Sequence, residues 1–188
     1  MKNNLKFYEE VGRLKSLPRT GWVKRGIPNP ETVAEHMYRS QFIAYDLAKT
    51  FQQNAVECAH IMMIHDLPEA RAGDITPHCN VTKEEKLNKE HQAAVYLSSL
   101  SGNSEFLELF EEYEEKETLR SKIGNDADQL ECLVQVMEYS SLYPEKISLM
   151  ENFWPYAENK ISTEHGHNLY KQMKKEYKLQ LEAAPKNV

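Results

Sequence analysis

Residues 54–68 read NAVECAHIMMIHDLP, and this stretch decides the fold class. Asn54 can accept hydrogen bonds from the first turn of a helix. The residues after it are apolar nearly all round, so a helix from Ala55 to Leu67 reads as central, not as a surface element. Pro68 pushes its predecessor out of the α region, so the helix is expected to end or bend at His65-Asp66. Two ligand-type side chains therefore come to the end of a buried helix.

Working outward from it, the pattern stays helical. Upstream, the spacing predicts a helix from about Glu31 to Phe51, with Val33, Met37, Phe42, Ala44 and Leu47 facing inward. Leu5 to Lys15 places Leu5, Tyr8, Val11 and Leu14 on one face. Between these two lies Ser16 to Pro30, an ordered loop with three prolines and two glycines. Downstream, Thr82-Lys83-Glu84-Glu85 is a capping box that opens a helix to about Leu100. Ser104 caps a fifth helix, whose charged run Glu105 to Glu117 is its solvated face. Thr118 starts a sixth, to about Leu142. Pro144 and Pro155 punctuate a short helix, and Ser162 to about Ala183 forms a last, charged one, packed on the rest. Neither an alternating β pattern nor an internal repeat occurs, which makes the chain all-α.

Its 188 residues suit one domain with a proper core, here 1–188, and two would be a squeeze. Charged residues make up 28% and no apolar window approaches membrane-spanning length, which excludes a membrane protein. The first five residues, MKNNL, form no secretory signal, so a cytoplasmic address is expected. A net charge of −6 argues against a nucleic-acid partner but permits a small anion met by local charge. Cys58, Cys79 and Cys132 form no C-x-x-C pair and read as reduced, mostly packed thiols.

Alone, His65-Asp66 could be a packed histidine beside a solvated aspartate. Adjacent helical residues point about 100° apart, yet they can converge on one ion lying between them. His36, on the preceding helix, can face His65 across a helix pair. Asp128 lies among Ile123, Leu130, Leu133 and Val134, where an unpaired carboxylate is costly and an ion offsets that cost. Asp126 is its rival, but residues two apart lie on opposed faces, so only one of the two is expected to point inward. Two imidazoles and two carboxylates suit one divalent transition metal: Mn, Co, Fe, Ni or Zn. The lack of thiolates argues against a structural zinc site. His60 reads as packed, while His78, His91, His165 and His167 read as surface, and Met62 and Met63 fill the core.

The order His36…His65-Asp66…Asp128 resembles the HD-domain superfamily of metal-dependent phosphohydrolases. Pro18-Arg19-Thr20-Gly21-Trp22 and His65-Asp66-x-x-Glu69-x-x-x-Gly73-Asp74 narrow the likeness to the YfbR-like 5′-deoxynucleotidase branch. Lys83-Glu84-Glu85-Lys86, Glu111-Glu112-Tyr113-Glu114 and Asp128-Gln129 continue it, over roughly residues 7 to 150. The resemblance implies a helical bundle with the metal between central helices, held by His36, His65, Asp66 and Asp128. It implies removal of the 5′-phosphate from deoxynucleoside monophosphates by a homodimer. It places Arg19 on the phosphate and makes Glu69 and Asp74 the further acidic residues of the site. Trp22 and Thr20 fall in the substrate segment, Thr20 standing directly after Arg19 where relatives often carry an aromatic specificity residue. Arg19 offers a planar fork to two phosphate oxygens, and Glu69 and Asp74 suit acid/base work or water positioning. Two other readings share the residues: a phosphohydrolase for a different phosphorylated small molecule, and a helical regulatory module whose ion is structural.

Overall fold

The computed structural model describes residues 4–77 and 79–183. Its named elements are the α-helices α1 (Asn4–Gly12), α2 (Thr20–Val23), α3 (Val33–Thr50), α4 (Ala55–Ile64), α5 (Glu69–Ala72), α6 (Lys83–Ser101), α7 (Glu105–Glu115), α8 (Leu119–Leu142), α9 (Ile147–Met150), α10 (Phe153–Lys160) and α11 (Glu164–Ala183), with 3₁₀ turns at Arg13–Ser16 and Pro144–Lys146. No strand occurs among the described residues, as the sequence predicts.

Local chemistry starts these helices where expected. Asn54 Oδ1 accepts from Val56 N and Glu57 N at 3.1 and 3.4 Å and opens α4. Thr82 and Glu85 form their capping box on α6, and Thr118 accepts from Ser121 N on α8. A second box, Thr32 with Glu35, starts α3 two residues later than the hydrophobic pattern suggests. The Ser104 side chain makes no cap hydrogen bond, contrary to expectation.

Helices α3, α4 and α8 pack on one another, and the site forms where they meet. Ile61 and Met62 of α4 and Ile123, Leu130, Leu133 and Val136 of α8 are fully withdrawn from water. Periodicity alone misplaced several side chains. Leu5 and Tyr8 are exposed while Phe7 and Glu10 are buried, so α1 turns a different face inward. Phe42 and Met63 are also exposed, and α4 has one wet side although its sequence is apolar nearly all round. These residues are apolar on both sides of their helices, so composition cannot choose the face; tertiary contact does. His60 is half-buried and lies 3.9 Å from Glu105, more a surface pairing than a packed core residue. His91 is exposed and His165 and His167 are half-buried; His78 lies outside the described residues.

Ser16 to Pro30 is more structured than a loop. Pro18 pairs with Thr32 as an isolated antiparallel bridge, Arg19 N donates to Glu31 O at 2.9 Å and Val33 N to Leu17 O at 2.9 Å. This pairing ties the Arg19 segment to the start of α3. Pro155 does not bound a helix; it sits in the first turn of α10, where no intrahelical donor is lost.

Candidate active site

His36 lies one turn into α3, its position set by the Thr32 cap. Helix α4 ends at Ile64, three residues sooner than Leu67, and Pro68 directly precedes α5. His65 and Asp66 therefore sit in the turn between these helices, as Pro68 implies. Asp128 projects from the middle of α8. His36 Nε2 lies 3.1 Å from Asp128 Oδ1 and 3.6 Å from Asp66 Oδ2, and His65 Nε2 lies 3.2 Å from Asp66 Oδ2. Single ligand atoms of His36, His65 and Asp128 all fall within 4.8 Å of one another.

Both Nε2 atoms are buried, and neither makes a hydrogen bond of sound geometry despite carboxylates on every side. A buried, unpaired imidazole nitrogen is costly. Two of them aimed at one point among carboxylates are arranged around a common centre, which a divalent cation fits. The far side of each ring is fixed: His65 Nδ1 meets Met62 O at 2.8 Å, and His36 Nδ1 meets Glu131. Such contacts hold the tautomer that leaves Nε2 free to ligate. Burial and Arg19 act to lower the His36 pKa, but Glu131 and Asp128 outweigh them and hold it up to about 10. The same field keeps Asp128 and Asp66 far below the usual carboxylate range against the opposing effect of burial. The cluster is built to hold positive charge.

Glu131 and Arg39 were not singled out in the sequence. Arg39 Nε donates to Glu131 Oε1 at 2.9 Å, Nη2 to Gln135 Oε1 at 2.5 Å and Nη1 to Glu138 Oε1 at 2.7 Å. One guanidinium thus clamps α3 to α8 beside His36. Spacing held a signal, since Glu131 follows Asp128 by three residues and Arg39 follows His36 by three, one helix face apart. Tyr113 is a further partner, its hydroxyl donating to Asp128 Oδ2 at 3.1 Å.

Asp126 corrects the expectation that only one of the two aspartates turns inward. It is more deeply buried than Asp128 and faces the C-terminal helix, where its carboxylate accepts from Ser162 and Thr163. It takes no part in the ligand cluster.

A cavity of about 340 Å³ opens onto Asp66 and Asp128 and is also lined by Arg19, Glu69, Asp74 and Lys86. Arg19 donates from Nη1 to Asp66 Oδ2 at 3.2 Å and from Nη2 to Cys132 Sγ at 3.5 Å. Asp74 arrives through Gly73, whose φ of +79° and ψ of 161° suit only a residue without Cβ. Its Oδ2 accepts from the backbone N of Thr20 at 2.6 Å, so Thr20 enters the site through its main chain. Glu69 is buried, with Oε2 unpaired. Burial, then Asp66 and Asp74, push its pKa well above the carboxylate range, opposed by Arg19 and Lys86. Lys86 is half-buried, and although desolvation opposes its charge, Glu90, Asp66, Glu69 and Glu114 raise its pKa above the usual lysine value. Trp22 reaches the cavity as a back wall only; it is 1% exposed, and its Nε1 donates to Glu31 Oε1 at 2.8 Å.

Comparison with known proteins agrees with this architecture. Residues 11–167 match the HD domain family. The chain is 38% identical over 156 residues to 5′-deoxynucleotidase HDDC2 of Danio rerio, covering 81% of this chain and 78% of that protein. It is 38% identical over 155 residues to 5′-deoxynucleotidase hdd1 of Schizosaccharomyces pombe, covering 79% and 78%. A solved structure of a conserved hypothetical protein from Pyrococcus furiosus superposes with a TM-score of 0.75 at 29% identity, over 91% of this chain and 99% of that one. The chain belongs to the HD domain family.

Proposed function

We propose that this protein is a metal-dependent 5′-deoxynucleotidase that removes the phosphate from deoxyribonucleoside monophosphates. The observation that carries the reading is the pair of unpaired imidazole nitrogens beside two carboxylates that line a cavity also presenting Arg19 and Lys86. The names borne by the relatives supply the substrate class. An ion with a purely structural role requires neither an open cavity nor two cations facing it, which disfavours a regulatory module.

In this reading His36, His65, Asp66 and Asp128 hold one divalent ion, and two imidazoles with two carboxylates suit Mn, Co, Fe, Ni or Zn. Such an ion, when bound, neutralises phosphate charge and acidifies water. Arg19, held by Asp66, meets the phosphate oxygens with its fork, and Lys86 adds a fixed positive charge. Asp74, anchored by Thr20 N, is placed to orient water on the phosphorus. Glu69, whose pKa is raised by burial and by Asp66 and Asp74, is the acid that passes a proton to the 5′-oxygen. As the P–O5′ bond breaks, a new P–O bond forms to the oxygen of water, and the proton that water releases replaces the one Glu69 gave up. Trp22 supports the substrate wall from behind. A homodimer and a cytoplasmic address complete the proposal; sedimentation of the purified protein tests the first.

The deciding experiment is phosphate release from a panel of deoxyribo- and ribonucleoside 5′-monophosphates, each with Mn, Co, Fe, Ni or Zn. Release from deoxynucleotides with an added metal, and none after chelation, supports the reading. Release only from phosphomonoesters other than nucleotides moves the protein to the alternative substrate class.

A further inference from the structure

The cavity lining carries two kinds of chemistry. Arg19, Lys86 and the carboxylates Asp66 and Asp128 are the charged part of the lining, and Phe153, Tyr156 and Ala157 of α10 are the apolar part. Its volume of about 340 Å³ lies within the range of small-molecule sites, with more room than a phosphate fills.

The aromatic residues of the lining differ in what they can offer. Trp22 has no free ring face, since Phe153 stacks on it with centroids 4.5 Å apart and Tyr139 meets it edge-on at 5.2 Å. Phe153 is held in turn by Arg25, whose Cζ lies 4.3 Å from its ring centroid. Arg25 is itself anchored on Gly21 O at 2.8 Å and Asn152 Oδ1 at 2.9 Å. Tyr156 stands three residues beyond Phe153 on the same helix face. It lines the cavity yet is 49% exposed, and among the described residues no other ring packs against it. Its one charged neighbour over the ring is Lys160 Nζ, 5.8 Å from the centroid. Burial, then Asp128 and Cys132, raise the pKa of its hydroxyl, with Lys86 opposing, so the residue lies within electrostatic reach of the site. On the opposite face of α10, Trp154 is buried against Tyr170 and Tyr177, with centroids 5.9 and 4.9 Å away, so the helix holds Tyr156 in a fixed place.

We propose that Tyr156 is a specificity residue that receives the nucleobase, stacking its open ring on the base while the phosphate lies against Arg19 and Lys86. This rests on the nucleotidase reading and adds to it where the base goes. Stacking on an aromatic face tolerates every base, because each has a π-face. The enzyme should therefore accept purines and pyrimidines alike, and favour nucleotides over phosphomonoesters without a base.

The test measures kcat and KM for dAMP and for 2-deoxyribose 5-phosphate in wild type, Tyr156→Ala and Tyr156→Phe, together with calorimetric binding of dAMP. For Tyr156→Ala, the expected result is a rise on the order of tenfold in KM and Kd for dAMP. That loss is confined to the substrate bearing a base, and Tyr156→Phe recovers it. An unchanged KM for dAMP, or an equal loss on both substrates, overturns the proposal. If wild type hydrolyses neither compound but dAMP binding weakens tenfold in Tyr156→Ala, the base site stands and the hydrolytic reading falls. If wild type does not bind dAMP at all, both fall.

Discussion

Asp126 and Asp128 stand two residues apart on α8, the first buried and the second open to the cavity, and do unrelated work. Asp128 Oδ1 lies 3.1 Å from His36 Nε2 in the ligand cluster. Asp126 accepts from the backbone nitrogens of Ser162 and Thr163 at 2.8 and 2.9 Å and from their hydroxyls at 3.1 and 2.6 Å. It thereby ties the start of α11 to α8. Gly166 packs so closely that an added Cβ would come within 2.3 Å of Asp126 Oδ2. Asp128→Ala is expected to lose bound metal and activity. Asp126→Ala is expected to keep its metal but lose about 2–4 kcal/mol of stability, since buried donors are left unpaired. Metal content and urea midpoints of the two variants check this; equal metal retention would overturn the ligand assignment.

Glu131 touches no substrate, yet it fixes the His36 ring from behind and is locked by Arg39. Removing such a partner typically costs about 10–100-fold in metal affinity. Glu131→Gln is expected to weaken the metal within that range while the helical signal stays unchanged. Competition with a metal-sensitive dye measures it, and wild-type affinity would show that the contact does not orient the ring.

Burial beside Asp66 and Asp74 raises the pKa of Glu69 and favours its protonated form. Glu69→Gln preserves shape but has no acidic proton to give. Turnover should fall by about 10²–10⁴-fold with metal content unchanged. Near wild-type kcat would reduce Glu69 to a local structural residue.

Glu90 on α6 is 5% exposed, and burial, aided by Asp66 and Glu114 and opposed by Lys86, pushes its pKa up to about 7 from an ordinary 4.5. Between these two values the folded protein holds a proton that the unfolded chain has released. Stability therefore falls as pH rises through this window, and the loss is complete above pH 7. Glu90→Gln should flatten that slope and gain about 1–3 kcal/mol above pH 7, less whatever Lys86 loses. Thermal melts from pH 4.5 to 8 decide it; a parallel slope in the variant rules Glu90 out as its source.

Trp22 is packed as a core residue, in contact with Glu31, Phe153 and Tyr139. Trp22→Ala should cost about 3–5 kcal/mol of stability, the usual range for a buried aromatic. The ratio of kcat/KM for dAMP against AMP, measured below the melting transition, tests its part in sugar discrimination. An unchanged ratio limits Trp22 to supporting the wall.

The helical class was legible in the chain itself because caps, prolines and 3.6-residue periodicity act over a few neighbouring residues. Asn54, Thr82, Thr118 and Pro68 mark helix ends that the structure keeps. The grouping His36, His65, Asp66 and Asp128 was readable from residue type and order, since buried imidazoles and carboxylates need one another or an ion. What periodicity could not decide was the face each helix turns inward. Leu5, Tyr8, Phe42 and Met63 sit on helices with apolar residues on more than one side, and only packing selects among them. Nor could spacing separate Asp126 from Asp128. One is claimed by Ser162 and Thr163, more than thirty residues away, and the other by His36, ninety-two residues upstream. The same holds for Trp22 and Tyr156: whether an aromatic ring seals the core or stands open to a ligand depends on α10 docking against the Arg19 segment, a contact between chain ends that local sequence does not encode.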